Sequence, residues 1–97
     1  MPALGEYTNV YNTALVVLRR KGYQVWSEDG GNTYCAERDG WDFRADSPTG
    51  LLGLVAIFEY RAPAAYQEYW WRERVDGASY RDLPDAPKPY TPVWRRP

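Results

Sequence analysis

The dipeptide Asp39-Gly40 constrains this chain more than any other feature, because it separates two short segments in which apolar and polar residues alternate. Asp-Gly is a strong signal for a two-residue type I′ turn, in which both turn positions need a positive φ. We therefore predict a β-hairpin with strands at 33–38 and 41–46. A two-residue loop also fixes the register, so that Arg38 faces Trp41 and Tyr34 faces Ala45.

This register sorts the side chains of the hairpin onto two faces of a sheet. The apolar face holds Tyr34, Ala36, Trp41, Phe43 and Ala45. The polar face holds Thr33, Cys35, Glu37, Asp42, Arg44 and Asp46. A further alternating segment at 23–28 precedes a loop with two glycines, so we predict a three-stranded antiparallel meander with one face turned to a core.

The segment before the sheet has the apolar spacing of a helix. Residues 7–21 place Tyr11, Leu15 and Leu18 on one face, and Gly22 fits the stop. Thr8 or Asn9 is the predicted cap. The basic run 19–21 falls in the last turn, where positive charge is favourable beside the carbonyl end of the helix.

A second helix is predicted at 48–61. Ser47-Pro48 is typical of a helix start, with Ser as the cap and Pro at the first helical position. Leu51, Val55 and Phe58 then share one stripe. Because 51–58 is almost continuously apolar, a buried strand is the alternative, and so is burial of Leu51 to Phe58 between two copies of the chain.

The remaining residues carry few aliphatic side chains. Residues 64–74 have aromatic residues at helical spacing, which predicts a short further helix, and prolines recur from Pro84 onward. We predict an α+β fold with an amino-terminal helix, the meander, and one or two helices on the same sheet face. Residues 1–75 form the predicted domain, and 76–97 form a proline-rich tail that is extended or disordered.

Composition excludes several classes of function. There is no His and only one Cys, so an internal disulfide is excluded and the commonest general base and zinc ligand are missing. We expect no catalysis, no cofactor and no metal. No apolar run approaches the ~20 residues of a membrane span, so we predict a cytoplasmic protein without membrane contact. A net charge of -1 gives no general attraction to nucleic acid.

The polar sheet face is the first candidate for binding. Alternation in the first strand puts Trp26 on this face, among more acidic than basic residues. Glu37 lies opposite Asp42, and like charges in that position are destabilising unless they are compensated. We expect Arg38, Arg44 and solvent screening to compensate them, with a basic partner or the chain's own tail as the alternative. The candidate contact residues are Trp26, Glu37, Asp42 and Arg44.

The aromatic stretch after the second helix is another candidate. Tyr69, Trp70, Trp71 and Arg72 combine rings and a guanidinium group, which suit a protein contact or stacking on unpaired bases. Glu68 and Glu73 dilute the positive charge, so nucleic acid is the weaker alternative.

The tail supplies a last set of contact residues, Tyr90, Trp94, Arg95 and Arg96. Such a segment can fold back on its own domain, bind a groove of another protein, or stay disordered. The sequence as a whole predicts a small non-catalytic protein-interaction or regulatory module whose partner is another protein. Single-strand nucleic-acid binding through 66–74 is the alternative.

Overall fold

A computed structural model of the chain describes residues 2–74 and 79–96. Its regular elements are, in order, α1 (Thr8–Arg20), β1 (Gln24–Glu28), β2 (Thr33–Arg38), β3 (Trp41–Ala45) and α2 (Pro48–Arg61). The sheet order is β1-β2-β3. The predicted α+β fold, with an amino-terminal helix, an antiparallel meander and a helix packed on it, is confirmed.

The predicted hairpin is confirmed in both its turn and its register. Asp39 and Gly40 have φ values of 53° and 85°, as a type I′ turn requires. Arg38 pairs with Trp41 and Tyr34 pairs with Ala45. β1 pairs antiparallel with β2 on the other side, so β1 and β3 are the two edges of the sheet.

The predicted first helix is confirmed, but the prediction of its cap is wrong. Thr8 and Asn9 lie inside α1, and Tyr7 occupies the N-cap position without a side-chain cap. Gly22 ends the helix as predicted: its φ is 92°, and its N–H donates to the carbonyl of Arg19 at 3.0 Å. A positive φ is a conformation that glycine adopts without steric cost.

The segment after the sheet is a helix and not a strand. The Ser47 hydroxyl accepts a hydrogen bond from the Gly50 N–H at 3.0 Å, and Pro48 stands at the first helical position, as the sequence predicts. Ala62 adopts a left-handed conformation with a φ of 45° and ends α2.

α1 and α2 pack on one face of the sheet and enclose the core. Leu18, Leu51 and Val55 are completely buried there, together with Ala36. Phe43 belongs to the same cluster and is 8% exposed, and the partly buried side chains of Val25, Tyr34 and Trp41 pack against this cluster. The predicted apolar sheet face is therefore the core face.

The predicted helix over 64–74 is wrong. The described chain has a turn at 68–71 instead, in which the Trp70 N–H donates to the carbonyl of Gln67 at 3.1 Å. Tyr69 has a φ of 60°, which a right-handed helix excludes. The turn carries the Trp70 ring back to the core, where it packs against Trp41 and Phe58.

The chain divides into two units. One, Glu6–Trp71, holds all the helices and strands named above, and we call it the α+β unit. The other, the terminal unit, comprises the described residues of Met1–Gly5 and Arg72–Pro97 and contains short 3-10 turns at Tyr80–Asp82 and Val93–Arg95. The predicted boundary between domain and tail, at 75/76, lies outside the described residues.

Candidate interaction surface

The face of the sheet opposite the core forms the first candidate surface. β1 and β3 present Trp26 and Arg44 on either side of Cys35, which is their direct cross-strand neighbour in both pairs. The Trp26 Nε1 donates to the Glu28 carboxylate at 3.1 Å, and that carboxylate also forms a salt bridge of 2.9 Å with Arg44. Glu28 thus binds both Trp26 and Arg44 on this surface.

Cys35 is covered at the centre of this face. Only 3% of the residue is exposed, and burial raises the pKa of its thiol, with the Glu28 charge acting in the same direction. A raised pKa disfavours the thiolate, which is the nucleophilic form. The arrangement is that of a packing residue between Trp26 and Arg44.

Removing the Trp26 ring should expose this thiol. We expect Trp26→Ala to react with Ellman's reagent about tenfold faster than the parent protein, because the larger of the two cross-strand neighbours of Cys35 is removed. Tyr60→Ala is the matched control, since Tyr60 is an exposed ring on α2. Equal rates in the parent and in Trp26→Ala would contradict the covering role of Trp26.

The expected compensation of Glu37 and Asp42 by arginines is wrong. Arg44 pairs with Glu28, and Arg38 donates to the carbonyl of Lys21 at 2.8 Å. Glu37 instead accepts hydrogen bonds from the Gln24 side-chain amide at 2.6 Å and from the Gly40 N–H at 2.9 Å. Neutral donors are sufficient because they satisfy the carboxylate without a second charge.

These two donors lower the pKa of Glu37 below its ordinary value of 4.5, the Gly40 N–H having the larger effect. A carboxyl group whose pKa is lower in the folded state stabilises the fold above its unfolded pKa. This contribution is lost as the pH falls through the folded pKa. We expect an NMR titration of the Glu37 side chain to give a pKa below 4.5, rising towards that value in Gln24→Ala. A pKa at or above 4.5 in the parent would refute both hydrogen bonds.

The second candidate surface lies along the free edge of β3. A cavity of about 370 Å³ has Asp39, Gly40, Trp41 and Asp42 on one wall and Ala64, Ala65, Tyr66 and Trp70 on the other. A second, of about 390 Å³, is lined by Asp42, Phe43, Arg44, Leu54, Ile57, Trp70 and Trp71. Because Asp42 and Trp70 line both, the two cavities adjoin. We call them together the β3 cleft.

The walls of the β3 cleft are mainly aromatic and aliphatic. Ile57 is 43% exposed on α2, and Trp71 is 49% exposed in the turn that follows. The Trp71 ring meets the Tyr69 ring edge-on at 5.9 Å. Large side chains of this kind dominate protein contacts when they are exposed together.

The backbone of β3 completes this surface. In an antiparallel pair, alternate residues form the hydrogen bonds to the neighbouring strand. The two-residue turn makes Arg38 and Trp41 such a pair, so Phe43 and Ala45 also bond to β2 while Asp42 and Arg44 direct their N–H and C=O groups away from it. Among the described residues, no backbone hydrogen bond from outside the sheet reaches these groups.

The structure separates the residues of the predicted aromatic site. Trp70 is partly buried, with ring centroids 5.6 Å from Trp41 and 5.8 Å from Phe58. Tyr69 and Trp71 are exposed beside it, whereas Arg72 belongs to the terminal unit. The stretch therefore combines a core residue with two surface residues.

The predicted tail residues lie in the terminal unit. Tyr90 is 70% exposed, and the Arg95 guanidinium lies 4.8 Å from the centre of the Trp94 ring. Trp94 also lines a small cavity with Pro2, Ala3 and Val93. Arg96 is exposed. The position of Trp94 in one cavity wall with Pro2 and Ala3 is a feature that the sequence does not reveal.

Sequence reasoning missed the part that Ile57 and Leu54 play in the β3 cleft. The signal that the sequence offers is the almost continuously apolar segment 51–58, which contains both residues. The missing information was the course of the chain after Ala62, which brings Trp70 and Trp71 alongside that helix and β3.

Comparison with known protein families, curated proteins and solved structures finds no match to this chain. Within residues 2–74 and 79–96, no helix is both long and apolar enough to cross a membrane. The same residues contain no group of three His, Cys, Asp or Glu side chains placed to hold a metal ion.

Proposed function

We propose that this protein is a small non-catalytic interaction module and that the β3 cleft is its contact surface for another protein. The observation that carries the proposal is the coincidence of exposed apolar side chains with outward-facing backbone groups along one edge strand. Ile57 and Trp71 supply apolar area, and Asp42 and Arg44 supply backbone donors and acceptors. Protein contacts combine these two components.

The polar sheet face is the weaker candidate because three of its four predicted contact residues, Trp26, Glu37 and Arg44, already have partners. The Trp26 Nε1 and the Arg44 guanidinium both bind Glu28, and Glu37 accepts hydrogen bonds from Gln24 and Gly40. A partner there would have to replace these interactions. Its net gain would be small, since an exchange of hydrogen bonds contributes little.

Capture from an extract of the native organism tests the proposal, with the full-length protein as bait and mass spectrometry as readout. Ile57→Asp places a charge on the cleft wall at an exposed position, so the fold should persist. We expect the Ile57→Asp bait to retain at least about tenfold less of a specific partner than the parent bait. Tyr60→Asp is the matched control, because the 72% exposed Tyr60 lies on the same helix but lines neither cavity.

Two outcomes would count against the proposal. Loss of the partner from Trp26→Ala but not from Ile57→Asp would move the contact to the polar sheet face. A protein retained equally by all baits, or the absence of any specific protein, would remove the support for an interaction through the β3 cleft. Circular dichroism of each bait establishes that its fold is intact.

Nucleic-acid binding is the alternative function. The exposed rings of Tyr69 and Trp71 support it, because exposed rings can stack on bases. The core position of Trp70 weakens it, because that ring is engaged with Trp41 and Phe58. A fluorescence titration with oligothymidylate at low salt separates the two. We expect no binding, whereas an affinity that falls steeply with salt would establish the alternative.

A further inference from the structure

We propose that the β3 cleft binds an extended peptide segment of its partner as a fourth strand beside β3, and that this segment has the pattern apolar–basic–apolar. The inference rests on the proposed function and adds to it the kind of partner and the way it binds. It comes from the geometry of the edge, the position of the two cavities and the charge of Asp42.

The backbone of β3 sets the register of the added strand. Asp42 and Arg44 point their backbone N–H and C=O groups outward, two residues apart, which is the repeat that an extended chain matches. Strand addition to an open sheet edge is a recurrent way of binding peptides, because the main chain supplies the hydrogen bonds.

The side chains of such a strand would alternate between the two faces of the sheet. If one residue stands opposite Asp42, its two neighbours stand opposite Trp41 and Phe43 on the core side. The first cavity contains Trp41 and the second contains Phe43, with Trp70 lining both. Each cavity can therefore receive one apolar side chain of the added strand.

The charge between the two apolar positions follows from Asp42. Its side chain is exposed on the polar sheet face, next to Glu37, and among the described residues it forms no salt bridge. Arg44 is already paired with Glu28. A Lys or Arg opposite Asp42 would thus meet a carboxylate that has no salt-bridge partner within residues 2–74 and 79–96, and an acidic residue there would be repelled.

The β1 edge of the sheet can be compared with the β3 edge in the same molecule. β1 directs the backbone groups of Val25 and Ser27 outward in the same way. The cavity there is smaller, about 270 Å³, and Arg19 is among its lining residues. A basic segment is disfavoured at this edge, so the amides of Val25 and Ser27 provide an internal control.

A display library of random peptides of about ten residues, longer than β3, provides the probe. We expect selection on the full-length protein to enrich apolar–Lys/Arg–apolar sequences that no longer bind Ile57→Asp. A synthetic copy of the best peptide in which this Lys or Arg is replaced by Glu should bind about fivefold more weakly. Asp42→Lys should reverse this preference. Failure to enrich any such peptide, or the same affinity for the Glu peptide, would overturn the inference.

Amide hydrogen exchange followed by NMR tests the strand geometry directly. We expect the peptide to slow the exchange of the Asp42 and Arg44 amides at least about tenfold while those of Val25 and Ser27 remain unchanged. A peptide N-methylated at the residue opposite Asp42 should lose most of its affinity. Protection at the β1 edge, or tight binding of the N-methylated peptide, would show that no strand is added to β3.

A backbone variant provides the complementary test. Asp42→Pro removes an N–H that points away from the sheet, a position at which edge strands tolerate proline. We expect it to bind the peptide at least about tenfold more weakly than Asp42→Asn, which removes only the charge. If Asp42→Pro does not fold, the N-methylated peptide decides the same question from the partner's side.

These measurements distinguish the two proposals. A natural partner lost by Ile57→Asp, without slowed exchange at Asp42 and Arg44, would keep the interaction module and refute the added strand. Sedimentation of the protein alone tests a second copy as the occupant. We expect a monomer, and a dimer that dissociates on charge reversal at Asp42 would replace the peptide with the β3 of another chain and overturn the inference.

Discussion

Phe43→Ala is expected to lower the free energy of unfolding by about 3 to 5 kcal/mol. Phe43 lies in the centre of β3 on the core face and is 8% exposed. Its ring meets Tyr23 and Phe58 at centroid distances of 6.1 and 5.5 Å, both edge-on. Alanine would remove these contacts and leave a cavity that the rigid sheet fills only in part.

Urea denaturation followed by circular dichroism measures this loss. Because a small domain is stabilised by only about 5–15 kcal/mol, the midpoint should fall sharply or the variant should be partly unfolded in buffer. The free energy of unfolding of Tyr60→Ala should lie within about 0.5 kcal/mol of the parent value, since the Tyr60 ring is exposed. A Phe43→Ala protein as stable as the parent would contradict the assignment of the core.

Trp70→Ala is the second substitution with a large expected effect, a loss of about 3 kcal/mol. The Trp70 ring contacts Trp41, Phe43 and Phe58, with centroid distances between 5.6 and 6.5 Å. The sequence indicated a contact residue for a partner, whereas the structure places its ring against the core. Trp70→Phe keeps a ring and should lose about half as much.

The comparison of Trp70→Ala with Trp71→Ala decides between these two roles. The adjacent Trp71 is 49% exposed, so its removal should change the stability by less than about 1 kcal/mol and act on partner binding instead. If Trp70→Ala is as stable as the parent, Trp70 is a surface residue and not part of the core. The result also determines which variants can be used as baits, because a destabilised variant loses partners for reasons unrelated to contact.

The sheet and the helices could be predicted because their signals are local. Asp39-Gly40 determines a turn, the turn determines the register, and the register determines which side chains reach the core. Ser47-Pro48 determines where α2 begins. Each step involves residues that are neighbours in the chain, where backbone sterics and capping dominate.

The path of 64–71 could not be predicted in the same way. The spacing of Tyr66, Tyr69 and Trp70 matches a helix, but the left-handed conformations of Ala62 and Tyr69 redirect the chain. Neither residue is a glycine, so the sequence carries no signal for a left-handed conformation at these positions. Packing of Trp70 on distant residues determines this path, and with it the β3 cleft.

The compensation of Glu37 shows the same limit on a smaller scale. Sequence alternation correctly places Glu37 opposite Asp42, and a nearby arginine is the simplest partner for a carboxylate. The actual donors are the Gln24 amide and the backbone of Gly40. A backbone donor in a tight turn is not identifiable from residue types, because every residue other than proline carries one.

Photo-crosslinking in the cells of the native organism tests most directly whether the β3 cleft is the contact surface. Benzoylphenylalanine is introduced in place of Ile57, of Tyr60 or of Trp26, one position at a time, and the adducts are identified by mass spectrometry. We expect one protein to be crosslinked through position 57, to be displaced by excess parent protein, and not to be crosslinked through position 60. Adducts through position 26 or 60 without any through position 57 would contradict this expectation.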